Sequence, residues 1–159
     1  MNAPTDIHWK PLARPVLLVE DNPMDIDLLL RALEKHGIAN RVVICRDGDE
    51  AMAFIHDHAT PADELLPALV LLDLHLVKVD GLEVLRQIRQ HPVWKKMPVV
   101  MLSSSRETAD ISRAYELGAN SYIVKSADLD GCKALTGAIK SYWLQLNEPP
   151  FADGARRQA

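Results

Sequence analysis

The chain has 159 residues, of which 48% are hydrophobic and 25% charged, and these proportions fit one globular domain rather than a disordered chain. The formal net charge of −4 provides no basic surface for nucleic acid. Cys45 and Cys132 are too few for a disulfide framework and too far apart for a CxxC metal site. No apolar run approaches the ~20 residues of a membrane span, and residues 1–14 lack the apolar segment of a signal peptide. We therefore expect a cytoplasmic protein.

Five short apolar segments, rich in valine, isoleucine and leucine, predict the buried strands of a parallel sheet. In chain order they cover residues 15–20, 41–45, 68–73, 98–102 and 121–124. Residues 1–14 are expected to form an N-terminal extension and residues 147–159 a C-terminal tail. A single domain is therefore predicted at residues 15–146.

Segments with helical spacing of apolar residues separate these strands. The first begins at Asn22-Pro23, because asparagine is a common N-cap and proline suits the first helical position, and it ends at Gly37. Met24 is expected in its apolar stripe. The other four helices are predicted at residues 49–58, from Gly81 to His91, at residues 107–117, and at residues 129–146 with Leu135, Ile139 and Tyr142 at helical spacing.

Strands that alternate with helices predict an α/β fold, in which a parallel sheet carries helices on both faces. For five strands and five helices in a chain of this length, the expected arrangement is the flavodoxin-like, doubly wound sheet with strand order 2-1-3-4-5. Ligands of such sheets bind beyond the carboxyl ends of the strands, between the first and third strands. The fold therefore indicates where a functional site should lie.

Polar side chains stand at the carboxyl ends of four predicted strands. Glu20 and Asp21 follow the first strand, Asp73 ends the third, Ser103 ends the fourth and Lys125 follows the fifth. Three carboxylates at one place repel one another unless a cation binds between them. Carboxylate oxygens together with water are the ligands that Mg²⁺ prefers. The sequence therefore predicts a magnesium site at this edge of the sheet.

This combination of groups suits phosphoryl transfer to a carboxylate. An aspartate can form an acyl phosphate, Mg²⁺ can neutralise phosphoryl oxygens, and serine and lysine can hold the others. Each residue alone also has an ordinary structural explanation, because Asp and Ser after strands often cap helices and a single Lys is usually solvated. Caps do not explain all four groups on neighbouring strands. No glycine-rich loop follows the first strand, which disfavours a dinucleotide or P-loop site.

The sequence resembles the receiver domains of two-component response regulators over about residues 15–146. Asp73 and Ser103 are 30 residues apart, and Ser103 and Lys125 are 22 apart, which matches the usual spacing of that family. The pieces that carry the resemblance are Val-Leu-Leu-Val-Glu20-Asp21-Asn22, Leu-Val-Leu-Leu-Asp73-Leu-His-Leu, Asp80-Gly81, Val-Val-Met-Leu-Ser103 and Gly-Ala-Asn-Ser-Tyr122-Ile-Val-Lys125.

The resemblance implies a role for each residue of the acidic set. Asp73 would accept a phosphoryl group from the phosphohistidine of a sensor histidine kinase. Asp21 and Asp73 would bind Mg²⁺ directly, with the backbone carbonyl of His75 as a third protein ligand and Glu20 acting through water. Such a protein would be a signalling protein rather than an enzyme with a turnover substrate.

The resemblance also implies roles for the groups around the acids. Ser103 and Lys125 would contact the phosphoryl group, and Tyr122 would be a switch whose rotamer follows the movement of Ser103. His75 stands where the family often has asparagine. Its side chain is expected beside the phosphoryl group, where it would tune the lifetime of the phosphorylated state.

Softer features resemble single-domain regulators that partner bacteriophytochrome and cyanobacterial phytochrome kinases. They include the loop at residues 57–67 and the segment at residues 139–143. Val77 and Ser126 depart from the family pattern, which usually has proline at both positions. A cis bond before Ser126 would lack the relief that proline gives, so the isomer of the Lys125–Ser126 bond stays open.

Three alternatives share parts of this pattern. A haloacid-dehalogenase-like phosphatase would need a second aspartate two residues after Asp73, where His75 stands. A pseudo-receiver would usually have lost one of the acids, and a flavin carrier would need a phosphate-binding loop.

His56 and His58 are two residues apart, so they face different sides of a helix and are interpreted as surface residues.

The last predicted helix carries Tyr142, Trp143 and Leu146, more apolar area than one packed face requires. Exposed Trp and Tyr are typical interface anchors, so we expect a homodimer through the final strand and helix. Trp143 is expected to point outward; the alternative is that it folds back onto the neighbouring helix.

Overall fold

The computed structural model describes residues 13–151, so most of the predicted extension and the last part of the predicted tail lie outside the described residues. Five strands form one parallel sheet in the order β2-β1-β3-β4-β5. The predicted strand order is therefore confirmed. The strands are β1 (Val16–Val19), β2 (Val42–Cys45), β3 (Leu69–Asp73), β4 (Val99–Ser103) and β5 (Ser121–Val124).

Five α-helices alternate with the strands, each close to its predicted position. Four of them begin at a side chain that caps the backbone, namely Asn22, Asp47, Asp80 and Asp128. Such caps satisfy N–H groups that the first helical turn cannot pair internally. The helices are α1 (Pro23–Lys35), α2 (Gly48–Asp57), α3 (Gly81–Gln90), α4 (Thr108–Glu116) and α5 (Leu129–Ala138).

Two apolar clusters cover the two faces of the sheet, because successive strand residues point to opposite sides. Leu17 and Val19 of β1 pack with α2 and α3, whereas Val16 and Leu18 pack with α1. Every residue of β1, β3 and β4 is buried, as expected for strands covered on both faces. Both cysteines are buried free thiols, and Cys45 belongs to one of these clusters.

The prediction for Met24 was wrong, because its side chain is 79% exposed. The buried residues of α1 include Ile26, Leu29 and Leu33. Met24 precedes Ile26 by two positions, which places it about 200° away around the helix. A methionine in the first turn is therefore left on the rim of the sheet's carboxyl edge.

The last predicted helix is interrupted, because a π-helix at Ile139–Leu146 follows α5. Its wider turns shift the inward face by about one residue per turn, so Trp143 packs against the core while Tyr142 is 54% exposed. The expectation that Tyr142 continues the Leu135–Ile139 stripe was wrong. The expectation that Trp143 points outward was wrong for the same reason, and the alternative that it folds back is the one observed.

Trp94 lies in a short 3₁₀-helix, Trp94–Lys96, that the apolar spacing did not predict. Its ring is fully buried, and its Nε1–H donates to the carbonyl oxygen of His58 at 2.7 Å. His58 is not a surface residue, since its ring stacks on Phe54 and its Nδ1 lies 2.8 Å from Asp63 Oδ2. His56 is exposed as predicted.

Within residues 13–151, no helix combines the length and the apolar character that crossing a membrane requires.

Candidate functional site

Three carboxylates meet at the carboxyl edge of the sheet, where β1 and β3 lie side by side. The register pairs Val19 with Leu72, so the next residues, Glu20 and Asp73, come to the same edge of the sheet. Ligand oxygens of Glu20, Asp21 and Asp73 lie within 4.8 Å of one another. The convergence of the predicted acidic residues is therefore observed.

Lys125 reaches this cluster from the end of β5. Its Nζ lies 2.5 Å from Glu20 Oε2, 3.0 Å from Asp73 Oδ2 and 3.0 Å from Asp25 Oδ2. The lysine side chain is only 17% exposed, so these ion pairs are shielded from bulk water. Lys125 thus balances part of the negative charge that the strand ends bring together.

Burial and charge shift the pKa values of Glu20 and Lys125. Glu20 is 3% exposed, and its burial raises its pKa from 4.5 to about 7, against the opposing hydrogen bond from Lys125. Burial would lower the pKa of Lys125, but the carboxylates of Glu20 and Asp73 outweigh it and hold that pKa above its ordinary value. The lysine is therefore a permanent cation beside Asp73.

Ser103 ends β4 with a fully buried side chain. Its Oγ accepts a hydrogen bond from the backbone N–H of Ser105 at 3.1 Å, which fixes the start of the loop that leads to α4. The Tyr122 hydroxyl donates to the carbonyl oxygen of Ser105 at 3.0 Å. The two residues predicted to act as a switch are thus connected through one loop residue.

His75 follows Asp73 by two residues, and its backbone N–H lies 3.4 Å from Asp73 Oδ1. Its ring is 59% exposed, and its Nε2 lies 3.7 Å from Asp110 Oδ2 on α4. Asp110 also accepts a hydrogen bond from the Ser105 hydroxyl at 2.6 Å. The imidazole therefore stands at the mouth of the site, between the β3 and β4 loops.

The Asp80-Gly81 pair shapes the loop that carries His75. Asp80 accepts the N–H of Leu82 at 2.8 Å and so caps α3. A Cβ on Gly81 would lie 2.0 Å from the carbonyl oxygen of Asp73, so a side chain does not fit there. This motif is structural, because it lets the loop fold back against the end of β3.

Lys78 completes the loop at the position after Val77. It adopts a left-handed backbone conformation with φ of 64° and pairs through Nζ with Asp47 Oδ2 at 2.7 Å. The hydrogen bond from Lys78 lowers the pKa of Asp47. This ion pair ties the loop to the start of α2 without the proline that the family usually has. The Lys125–Ser126 bond is trans, since residues 13–151 contain no cis peptide bond.

The acidic cluster fits a divalent cation. Its donors are hard carboxylate oxygens within 4.8 Å of one another, and burial raises the pKa of Glu20. Asp21 and Asp73 would bind the ion directly and Glu20 would act through water, and the ion would add to the positive charge that Lys125 supplies. The chemistry of the donor set does not by itself distinguish Mg²⁺ from Mn²⁺.

Saturating Mg²⁺ is expected to raise the melting temperature by about 5–10 °C, because binding to the folded state alone adds about 2–3 kcal/mol. Asp21→Ala should abolish most of this shift, since it removes a ligand that Lys125 does not contact. Thermal unfolding with and without Mg²⁺ measures both values. Asp27→Ala serves as a control, because Asp27 is on the exposed side of α1 and pairs with Arg31. An equal shift in the Asp21 variant would place the ion elsewhere.

Comparisons with known proteins identify the family. The family model of the response regulator receiver domain matches residues 16–136, so the chain belongs to this family. Response regulator Rcp1 of Synechocystis sp. is 39% identical over 86% of this chain and 93% of its own. The probable methanogenesis regulatory protein FilR2 of Methanothrix harundinacea is 41% identical over 85% of this chain and 86% of its own.

Solved structures agree with this assignment. The Mn²⁺-bound form of Rcp1 matches with a TM-score of 0.76, at 39% identity over 86% of this chain and 99% of that one. The phosphorylated cyanobacterial phytochrome response regulator RcpA matches with a TM-score of 0.79, at 41% identity over 87% of this chain and 99% of that one. The chain is a receiver response regulator similar to phytochrome response regulators, and the matches do not favour a phosphatase or a pseudo-receiver.

Asp25 is the residue of this region that sequence reasoning missed. It lies in the first turn of α1, which is a common position for an acidic residue. Its contact with Lys125 joins residues 100 positions apart. The available signal was its place in the first turn of α1, directly after the strand end that carries Glu20 and Asp21.

Proposed function

We propose that Asp73 accepts a phosphoryl group from the phosphohistidine of a sensor histidine kinase, with Mg²⁺ bound beside it. The observation that carries this proposal is the contact of Asp73 Oδ2 with Lys125 Nζ at 3.0 Å inside a buried acidic cluster. A cation held at the nucleophile can receive the charge of an incoming phosphoryl group. A purely structural ion pair would not need two more carboxylates at the same place.

The reaction is an in-line displacement at phosphorus. A carboxylate oxygen of Asp73 forms a P–O bond as the P–N bond to the kinase imidazole breaks, and the imidazole leaves with its electron pair. Asp21, Asp73 and the backbone carbonyl of His75 would hold Mg²⁺, with Glu20 acting through water. Lys125 and the Ser103 hydroxyl would hold phosphoryl oxygens that the metal leaves uncovered.

Incubation with acetyl phosphate and Mg²⁺ tests this function without a kinase. One phosphoryl group per chain is expected, and chelation of the metal should prevent labelling. Sustained hydrolysis of a generic phosphate ester, without stoichiometric labelling, would favour a phosphatase instead. Absence of both would contradict phosphoacceptance altogether.

A phytochrome-linked histidine kinase is the proposed partner, and a bacteriophytochrome is one form of it. The support is the similarity to RcpA, whose name assigns it to a cyanobacterial phytochrome. FilR2 has the same sequence identity to this chain, 41%, but its name refers to methanogenesis. The similarity to RcpA therefore needs a direct test of the partner. Transfer from a phosphorylated phytochrome kinase should be faster than from an unrelated histidine kinase at equal concentration. Equal rates would remove the phytochrome assignment and leave phosphoacceptance intact.

His75 is proposed to tune the lifetime of the phosphorylated state. Its exposed ring next to Asp110 can orient or obstruct water at the mouth of the site. His75→Asn is expected to change the dephosphorylation rate by several-fold, since the shorter amide removes the imidazole ring that lies next to Asp110. Decay of labelled protein, followed at pH 6 and pH 8, measures this rate. Decay curves that coincide with wild type at both values would reduce His75 to a bystander.

Output is proposed to occur through a homodimer at the final strand and the π-helix. Tyr142 and Leu146 are 54% and 73% exposed, which is unusual for such side chains close together. β5 forms one edge of the sheet, with all four of its residues half-buried. Trp143 would hold Tyr142 in position at this surface, because the two rings meet edge to face with centroids 4.9 Å apart.

A Tyr142→Ala/Leu146→Ser variant is expected to be monomeric at micromolar concentrations where wild type is a dimer. The change removes exposed apolar area and leaves the inward Trp143 untouched, so the fold should persist. Light scattering, with and without phosphorylation, measures the mass. Met24→Ser is a control for removing an exposed apolar side chain elsewhere. A wild-type monomer under every condition would contradict the dimer.

A further inference from the structure

Asp25 contacts the functional lysine from a helix that carries none of the proposed metal ligands. It lies in the first turn of α1, and its Oδ2 is 3.0 Å from Lys125 Nζ. Its side chain is 36% exposed, compared with 3% for Glu20 and 8% for Asp73. The ion pair between Asp25 and Lys125, here called the bridge, therefore joins the outer part of the site to the lysine.

The three carboxylates around Lys125 differ in what else they can bind. An ammonium has three N–H groups, so Glu20, Asp25 and Asp73 together can engage all of them. Glu20 and Asp73 belong to the cluster that fits a divalent cation, and Asp25 does not. A bound cation would compete with the lysine for the first two carboxylates and would repel its charge. The cation would not displace the contact between Lys125 and Asp25, because Asp25 lies outside the acidic cluster.

The packing around Lys125 leaves space beside its side chain. A cavity of about 30 Å³ lies beside the bridge, enough for about one water molecule. The stem of a lysine has four rotatable bonds, so an unanchored ammonium loses contact with its target easily. The residues that line the cavity include Leu28, Leu29, Cys132 and Leu135 together with Lys125 itself.

We propose that Asp25 is a positioning residue, which anchors the Lys125 ammonium next to Asp73 when the metal is bound and before the phosphoryl group arrives. The carboxylate of Asp25 takes no part in bond formation and acts through Lys125 alone. The kinetic consequence rests on the proposed function of Asp73, whereas the anchoring itself is a property of the metal-bound, unphosphorylated protein. The two are therefore tested separately.

The first test observes the ammonium directly. In the Mg²⁺-bound, unphosphorylated protein, the side-chain ¹⁵N signal of Lys125 is expected in NMR spectra, because an anchored ammonium exchanges its protons slowly. Asp25→Asn should broaden this signal beyond detection. Asp27→Asn removes the same charge from the same helix without touching Lys125, so the signal should remain. Persistence of the signal in Asp25→Asn would overturn the proposal.

The second test measures the rate of labelling by acetyl phosphate. Asp25→Asn is expected to slow it by about three- to tenfold, since a partly exposed charged contact is weaker than a buried one. In a Lys125→Ala background the same change should have no effect, because the residue through which it acts is gone. An equal reduction in both backgrounds, or a reduction matched by Asp27→Asn, would overturn the proposal. Asp25→Ser repeats the comparison if Asp25→Asn folds poorly.

The two failures are distinguishable. If wild-type protein takes up no phosphoryl group, the function of Asp73 is wrong, and the NMR experiment still decides whether Asp25 anchors Lys125. If wild type is labelled and Asp25→Asn is labelled equally fast, only the role of Asp25 is wrong.

Discussion

Asp73→Asn is expected to abolish phosphoryl incorporation from acetyl phosphate. The amide that replaces the carboxylate is not a comparable nucleophile, and it also removes one of the three negative charges that favour the metal. The variant should fold, because the side chain keeps its size at the end of β3 and can still accept the N–H of His75. Intact-protein mass after incubation with Mg²⁺ and acetyl phosphate measures the loss.

Asp110→Asn is the matched control for that experiment. Asp110 is a carboxylate near the same edge of the sheet, but it contacts Ser105 and His75 and lies outside the acidic cluster. Labelling of this variant should persist. Incorporation into Asp73→Asn equal to that of wild type would show that another group is the nucleophile.

Trp94→Ala is expected to destabilise the fold by about 3–5 kcal/mol. The ring is fully buried in the cluster beneath α2 and α3, and it meets Phe54 edge-on with centroids 6.0 Å apart. Truncation would leave a large cavity and would also leave the carbonyl oxygen of His58 without its donor. Urea unfolding followed by circular dichroism measures the free energy.

Trp143→Ala is the comparison for this substitution. Trp143 is only partly buried, so the same truncation should cost clearly less than at Trp94. The loss of stability for Trp94→Phe should fall between those for Trp94→Ala and Trp143→Ala, because phenylalanine keeps most of the ring volume but loses the hydrogen bond. A loss of less than about 1 kcal/mol for Trp94→Ala would mean that the site collapses around the gap.

The strands, their order and the convergence of the acids followed from the sequence because each depends on local pattern and a general rule. Runs such as Leu69–Asp73 are apolar on both faces, and parallel strands end at a common edge. Glu20, Asp73 and Lys125 stand where strands end. Their meeting needed no knowledge of side-chain conformation.

The errors arise where a non-local contact or an unusual helix decides the outcome. Trp143 is packed inward and Tyr142 is exposed, the reverse of the expectation, because a π-helix replaces the expected α-helical spacing. The apolar pattern contains no signal of this change. Trp94 lies in a helix too short to show a period. Asp25 was missed because its partner, Lys125, comes from the opposite end of the chain.

The central claim is that Asp73 carries the phosphoryl group, and locating the modified residue tests it most directly. Borohydride reduces an aspartyl phosphate to homoserine, which marks its position permanently in the chain. After labelling with Mg²⁺ and acetyl phosphate, peptide mass mapping should find homoserine at position 73 in stoichiometric amount. Homoserine at Asp21 or another acidic residue, or an acid-labile label on a histidine with residue 73 unmodified, would contradict the assignment.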